Sequence, residues 1–131
     1  MYIRICVFIS LLLLVLTLTV TSCTSEEVDN SSKLDFNVKR LISAYEEGNV
    51  EEFAQQNDIK LTEEGVTVII ECEPGSTEKV AQEVERNGAI DVRAQSKNNW
   101  VKAVILITKL TDMADISAIR LIRLPWQPVE N

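Results

Sequence analysis

Residues 66–72 read Val-Thr-Val-Ile-Ile-Glu-Cys, and this run of β-branched side chains predicts a strand with both faces largely buried. A second apolar strand is predicted at 100–108, where one face carries Val101, Ala103, Ile105 and Ile107. Cys72 falls in step with Val66, Val68 and Ile70, so it belongs to one face of the first strand. These two segments are the most apolar of the predicted strands and are expected at the centre of a sheet.

Weaker sequence signals around these two strands predict two helices and two further strands. A helix is predicted at 77–87, with Ser76 as its N-cap and Gly88 as its C-terminal stop. Alternating residues predict a half-buried strand at 89–94, and a last strand at 119–124. Thr111 is expected to cap a short helix that ends near Ile116. The order is strand, helix, strand, strand, helix, strand. It predicts an α+β fold: a ferredoxin-like βαββαβ four-stranded antiparallel sheet with two helices on one face.

A helical hairpin is predicted before this domain, at residues 34–58. Apolar side chains recur at three- and four-residue spacing in its first helix, at Leu34, Val38, Leu41, Ile42 and Tyr45. Gly48 ends that helix, and Asn49 with Glu52 resembles a capping box for the second. A short strand is possible at 59–62. The hairpin is expected either on an edge of the sheet or on part of its other face.

The amino terminus has the pattern of an export signal. Arg4 precedes an apolar run of about 16 residues, short of the roughly 20 that a spanning helix needs. Small residues follow and lead to Cys23. The sequence Val-Thr-Ser-Cys at 20–23 resembles the lipobox of prokaryotic lipoproteins, in which a peptidase cuts before the cysteine and the cysteine is lipidated. This implies a signal peptide at 1–22, lipidation of Cys23, a flexible tether at 23–33 and an extracytoplasmic, membrane-anchored domain. A plain cleaved signal and an uncleaved anchor are the alternatives.

Composition narrows the functional classes. Removal of 1–22 leaves 109 of 131 residues, and loss of Arg4 takes the net charge from −7 to −8. An acidic domain of this size is a poor candidate for nucleic-acid binding. The chain has no histidine, no Cys-x-x-Cys and no glycine-rich phosphate loop. We therefore expect no enzyme, no cofactor and no metal site.

One cysteine, several acidic residues and one tryptophan are candidate site residues. Cys72 is expected to be a buried inert thiol, with a reactive or intermolecular thiol as the alternative. Glu71 and Glu73 are interpreted as solvated carboxylates at a strand end, in preference to an acid–base pair. The acidic pairs Glu46-Glu47 and Glu51-Glu52 are interpreted as helix surface charge, in preference to a calcium site. Trp100 is expected to pack at a sheet edge.

Beyond the last strand, proline punctuates the chain. Pro125 and Pro128 prevent further sheet pairing, so residues 126–131 are predicted to form an extended tail. Trp126 lies between these prolines. It either folds back on the domain or serves as an exposed anchor for a partner, because tryptophan is favoured at binding hot spots.

Two stretches carry a family resemblance that covers about residues 59–125. Residues 66–76, followed by Val80-Ala81, Val84 and Gly88, resemble the first half of the propeptide-like domains of secreted subtilisin-type serine proteases. Residues 113–125 are similar to the closing segment of those domains, although Ser117-Ala118 replaces the expected Pro-Gly turn. The resemblance implies a ferredoxin-like fold and a domain that helps its protease fold and inhibits it. The protease's Ser, His and Asp are absent from this chain.

The resemblance further implies a way of binding. The sheet would pack on a protease, and the tail would enter the active-site cleft as an extended strand, through Leu124, Pro125, Trp126, Gln127, Pro128 and Val129. We therefore predict an anchored lipoprotein that binds a subtilisin-like protease or another envelope protein in trans. The alternative is a structural or adaptor lipoprotein that binds a partner through its sheet surface without inhibition.

Overall fold

The computed structural model describes residues 29–125. The predicted signal at 1–22, the lipidation site Cys23 and the tail at 126–131 lie outside the described residues. Within residues 29–125, no helix is both long and apolar enough to cross a membrane.

The structure is α+β, with one antiparallel sheet of five strands. The strands are β1 (Leu61–Thr62), β2 (Gly65–Cys72), β3 (Ile90–Gln95), β4 (Trp100–Ile105) and β5 (Ile119–Arg123). β2 and β4 pair at the centre, and β3 flanks β4. β1 and β5 share the other edge of β2. The order β5-β2-β4-β3 is the ferredoxin-like arrangement, so the predicted fold class and its two central strands are confirmed. The sheet has five strands instead of the predicted four, because the short β1 also pairs with β2.

Four α-helices accompany the sheet in the described part of the chain: α1 (Phe36–Glu46), α2 (Val50–Gln56), α3 (Thr77–Arg86) and α4 (Leu110–Ala114). The helices of the two strand–helix–strand units, α3 and α4, bury apolar side chains in one core on one face of the sheet. That core includes Val80, Val84, Leu110 and Met113, all at most 1% exposed. The prediction of two helices on one face is therefore confirmed.

Alternate residues of β2 separate the two faces of the sheet. Val66, Val68, Ile70 and Cys72 belong to the hydrophobic core. Their neighbours Thr67 and Glu71 point to the opposite face and are only half-buried. The pairing register assigns side chains of the other strands to the same two faces, because directly opposite residues share a face.

The segment before α1 covers the outer edge of β5. Leu34 forms a parallel bridge with Ile122, and the Asp35 N–H donates to the Ile122 carbonyl at 2.9 Å. Lys33 Nζ donates to the Ile116 carbonyl at 3.1 Å. Farther back, hydrogen bonds from Ser31 lower the pKa of Asp29, which caps a short 3-10 turn. An edge strand that would otherwise expose unpaired backbone groups is thereby covered.

The helical hairpin is placed by its buried residues. Val38 and Leu41 are fully buried in the same core as α3 and α4. α1 contacts β5 and the turn Ile107–Lys109. The hairpin therefore extends the core at the β5 edge of the sheet.

Several local predictions are wrong. The first helix begins at Phe36, with Asp35 as a cap that accepts from the Asn37 N–H, because Leu34 is taken by the bridge to β5. The N-cap positions of Asn49 and Ser76, in contrast, are confirmed, although neither side chain makes a capping hydrogen bond. Thr111 lies inside α4, whose N-cap position is Lys109.

Two strands are shorter than predicted, and one tryptophan is placed differently. β1 contains only Leu61–Thr62, and β4 ends at Ile105, before the 3-10 turn Ile107–Lys109. Trp100 opens the central strand β4 opposite Glu71, rather than packing at a sheet edge. The strand lengths were overestimated because an apolar run in the sequence does not show where a strand loses its hydrogen-bonding partner.

Candidate functional site

The face of the sheet opposite α3 and α4 is the most extended candidate surface; we call it the open face. By register it carries Thr67, Ile69, Glu71, Arg93, Gln95, Trp100, Lys102, Val104, Leu121 and Arg123. Ile69, at the centre of the open face, is 9% exposed, and Trp100, Val104 and Leu121 around it are half-buried. An apolar centre surrounded by charged side chains is a common form of protein-binding surface.

Charge on the open face is mostly positive, in contrast to the acidic chain. Arg93 and Lys102 lie directly opposite each other on β3 and β4. Like charges in this position repel, and such repulsion costs a fraction of 1 kcal/mol, up to about 1. Arg123 is partly neutralised, because its Nε donates to Glu71 Oε1 at 2.9 Å. The remaining cations suit a partner surface that carries carboxylates.

Beside the open face, a groove of ≈ 580 Å³ lies between residues 57–60, which lead into β1, and the end of β5. Its apolar walls include Phe53, Ile59, Val66, Leu124 and Pro125. Polar side chains line the rest: Asp35, Asn37, Asn57, Asp58, Lys60, Thr67, Lys102 and Arg123. The groove therefore adjoins both the helical hairpin and the open face.

The groove exists because β5 stops early. Ile69 pairs with Arg123, so in antiparallel register Thr67 would face Pro125. Proline has no N–H to donate to a ladder, and pairing ends at Arg123. Val66, on the other side of the gap, pairs with Leu61 of β1. Between these two ladders β2 has an open edge at Thr67.

One wall of the groove is held by a stack. The Arg40 guanidinium lies 4.9 Å from the centre of the Phe53 ring and 5.7 Å from that of Phe36. Phe53 lines the groove, whereas Phe36 is 69% exposed and outside it. A cation between two aromatic faces is a favourable arrangement that fixes the Phe53 ring.

The predicted tail residues divide at the limit of the described chain. Leu124 and Pro125 are half-buried and line the groove, and Leu124 also packs against the core. Trp126, Gln127, Pro128 and Val129 lie outside the described residues, as does the predicted lipidation site Cys23. The structure thus brings the start of the predicted tail against the domain's own surface.

The other candidate residues, Cys72, Glu71 and Glu73, are either buried or paired with an arginine. Cys72 is 2% exposed, and burial raises the pKa of its thiol to about 11, which disfavours the reactive thiolate. Glu71 pairs with Arg123, and Glu73 lies 3.7 Å from Arg120. In the range 29–125, no three Cys, Asp or Glu side chains form a group that would hold a metal ion.

No protein-family model matches the chain, and neither a curated protein nor a solved structure matches it. Sequence reasoning named Leu124 and Pro125 but missed the open face as a set. The alternation at Thr67, Ile69 and Glu71 was the signal that could have found it.

Proposed function

We propose that this chain is a membrane-anchored extracytoplasmic lipoprotein whose ferredoxin-like domain binds and inhibits a subtilisin-type protease, or helps it fold, in trans. The observation that carries the proposal is the open face, which presents an apolar centre and surrounding cations away from the helices. A sheet surface with buried apolar side chains and a charged rim provides both contact area and orientation for a protein partner.

The path of the chain supports the inhibitory form of the proposal. β5 borders the open face and leads directly to Leu124 and Pro125. A partner seated on the open face would therefore lie next to the tail. Extended peptides bind clefts by adding a strand, and the prolines at 125 and 128 keep the tail from pairing with its own sheet.

Inhibition is tested by mixing the purified protein with a subtilisin-type protease and measuring residual peptidase activity. We expect concentration-dependent inhibition that is weakened by Leu121→Glu on the open face. The matched control is Tyr45→Glu, which changes an exposed residue of α1 to the same side chain. No inhibition at high micromolar concentration, with or without residues 125–131, contradicts the inhibitory function.

A second function is favoured by a specific observation. Leu124 and Pro125 line the domain's own groove, so in the described part of the chain the start of the tail lies against the domain. This supports a structural or adaptor lipoprotein that binds a partner through the sheet without inhibition. Deletion of residues 125–131 discriminates the two, because it abolishes binding by an inhibitor and leaves binding by an adaptor intact.

The anchor is tested separately. Incorporation of radiolabelled fatty acid into the full chain, expressed in a bacterial host, is expected for the natural sequence and lost in Cys23→Ala. A matched Cys72→Ala variant is expected to retain the label, because Cys72 is buried in the core. Equal labelling of Cys23→Ala and the natural sequence refutes the lipid anchor.

A further inference from the structure

We propose that the groove between residues 57–60 and the end of β5 is the docking site of the chain's own Trp126, so that the free protein holds its tail against its own domain. This inference concerns the protein before any partner binds, and it does not depend on which partner is correct. The groove is the proposed binding site, and Trp126, which follows the groove residue Pro125 in the chain, is the proposed occupant.

The first argument is proximity. Pro125 is the last described residue and itself lines the groove. Consecutive Cα atoms are about 3.8 Å apart, so Trp126 begins beside the groove whatever course the chain then takes. No other large aromatic side chain of the sequence outside residues 29–125 follows a groove residue directly.

The second argument is shape and chemistry. The groove volume of ≈ 580 Å³ lies within the roughly 300–1,000 Å³ of sites that hold small organic ligands, and it accommodates an indole ring. Phe53 and Ile59, both half-buried, offer apolar contact for the ring. A buried indole N–H requires an acceptor, and Asp35 and Asp58 are among the residues that line the groove.

The third argument is the restricted backbone that leads to Trp126. Pro125 fixes its own φ near about −65°, and the residue before a proline is confined to extended conformations. Leu124 is already held against the core. Little conformational freedom then separates the anchored Leu124 from Trp126, which lowers the entropy cost of seating the indole.

In the free protein, the groove is then occupied by the chain's own tail. A partner that uses Trp126 must first withdraw it from the groove, so tail-dependent binding is weaker than the exposed tail alone would give. A partner that binds the open face away from Thr67, Lys102 and Arg123, which also line the groove, is unaffected by the docked tail.

The test uses Trp126 as its own probe. The sequence has only two tryptophans, so Trp100→Phe in the full chain, purified in detergent, leaves Trp126 as the single emitter. We expect blue-shifted emission and acrylamide quenching several-fold weaker than that of free N-acetyltryptophanamide. Emission and quenching equal to those of the free compound overturn the proposal.

Two phenylalanines provide a matched pair that separates the groove from the detergent micelle. Phe53→Ala removes a groove wall, whereas Phe36→Ala removes the other ring that stacks on Arg40 and lies outside the groove. In the Trp100→Phe background, Phe53→Ala is expected to restore quenching and Phe36→Ala to leave it weak. Protection that survives Phe53→Ala in a protein with unchanged circular dichroism overturns the proposal.

Should Phe53→Ala fail to fold, nuclear Overhauser contacts in the Trp100→Phe chain decide the matter. Contacts between the Trp126 indole and the Phe53 ring or the Ile59 methyl groups are expected. Their absence, in spectra that show contacts of Leu124 with the core, overturns the proposal.

Discussion

The two faces of the sheet are made by alternate residues of the same strands, yet they tolerate very different side chains. On β5, Ile122 points into the core and is fully buried, whereas its neighbour Leu121 lies half-buried on the open face. On β2, Val68 and Ile70 are fully buried between helices and sheet, whereas Glu71 carries a charge. Packing restricts the core face to apolar side chains, whereas the open face accepts the charged and polar side chains that can contact a partner.

The largest expected effect sharpens this difference at two adjacent residues. Ile122→Ala is expected to lower the free energy of unfolding by about 2–5 kcal/mol, because it leaves a cavity in a packed core. Leu121→Ala is expected to cost no more than about 1.5 kcal/mol, since its side chain is already partly solvated. Urea unfolding followed by circular dichroism measures both values. Equal losses show that the open face is as tightly packed as the core.

The next effect concerns the place where β2 begins. Gly65 has φ +126°, and a Cβ added there would lie 2.1 Å from the Ile105 carbonyl oxygen. Gly65→Ala is expected to lower the free energy of unfolding by about 2–4 kcal/mol through strain and overpacking. Gly75→Ala is the control: its φ is also positive, but nothing lies within 4 Å of the added Cβ. A Gly65→Ala loss no greater than that of Gly75→Ala in urea unfolding contradicts a steric role for Gly65.

A smaller effect depends on pH and measures how completely the core excludes water from the Cys72 thiol. Burial raises the pKa of the Cys72 thiol from 9.0 to about 11. The stability that the neutral thiol provides is therefore fully present below pH 9 and is lost as the pH rises from 9 to 11, by at most about 2–3 kcal/mol. Urea unfolding of the natural protein and of Cys72→Ala at pH 8 and pH 10.5 measures it. The natural protein is expected to lose more stability than the variant over this interval, and parallel losses refute the effect.

The smallest expected effect has the opposite sign and belongs to the open face. Lys102 lies opposite Arg93, so Lys102→Glu replaces a repulsion with an attraction and is expected to raise the free energy of unfolding by about 0.2–1 kcal/mol. Lys102→Gln should give an intermediate value. Thermal unfolding at low and high salt measures both, and the gain should shrink with salt. A destabilised Lys102→Glu protein means that Lys102 contributes to the fold itself rather than to recognition.

Periodicity predicted the sheet because the local signals agreed with the topology. The alternation of β2 and β4 requires burial on the core face, and the single glycines and polar turns separate the elements. The βαββαβ order then leaves few arrangements, given right-handed crossovers. This is why the two central strands were identified from the sequence.

Long-range contacts and cap geometry could not be predicted in the same way. The bridge from Leu34 to Ile122 joins residues far apart in sequence, and nothing in the local pattern of Leu34 distinguishes it from the helical positions that follow. The groove likewise arises from register, because it is the position opposite Thr67 that falls on Pro125. Thr111 has a side chain typical of caps, yet α4 begins before it, because helix ends follow tertiary contacts as well as local preference.

The parallel bridge between Leu34 and Ile122 has a mechanical consequence. A force applied at residue 29 and at residue 125 would act along the two segments in opposite directions and load their contacts together in shear. Those contacts include Asp35 to the Ile122 carbonyl, Lys33 to the Ile116 carbonyl, and Asn30 Nδ2 to Asp115 Oδ1 at 2.8 Å. The edge from which both chain ends leave the domain is thus arranged to resist tension, rather than to peel open one bond at a time.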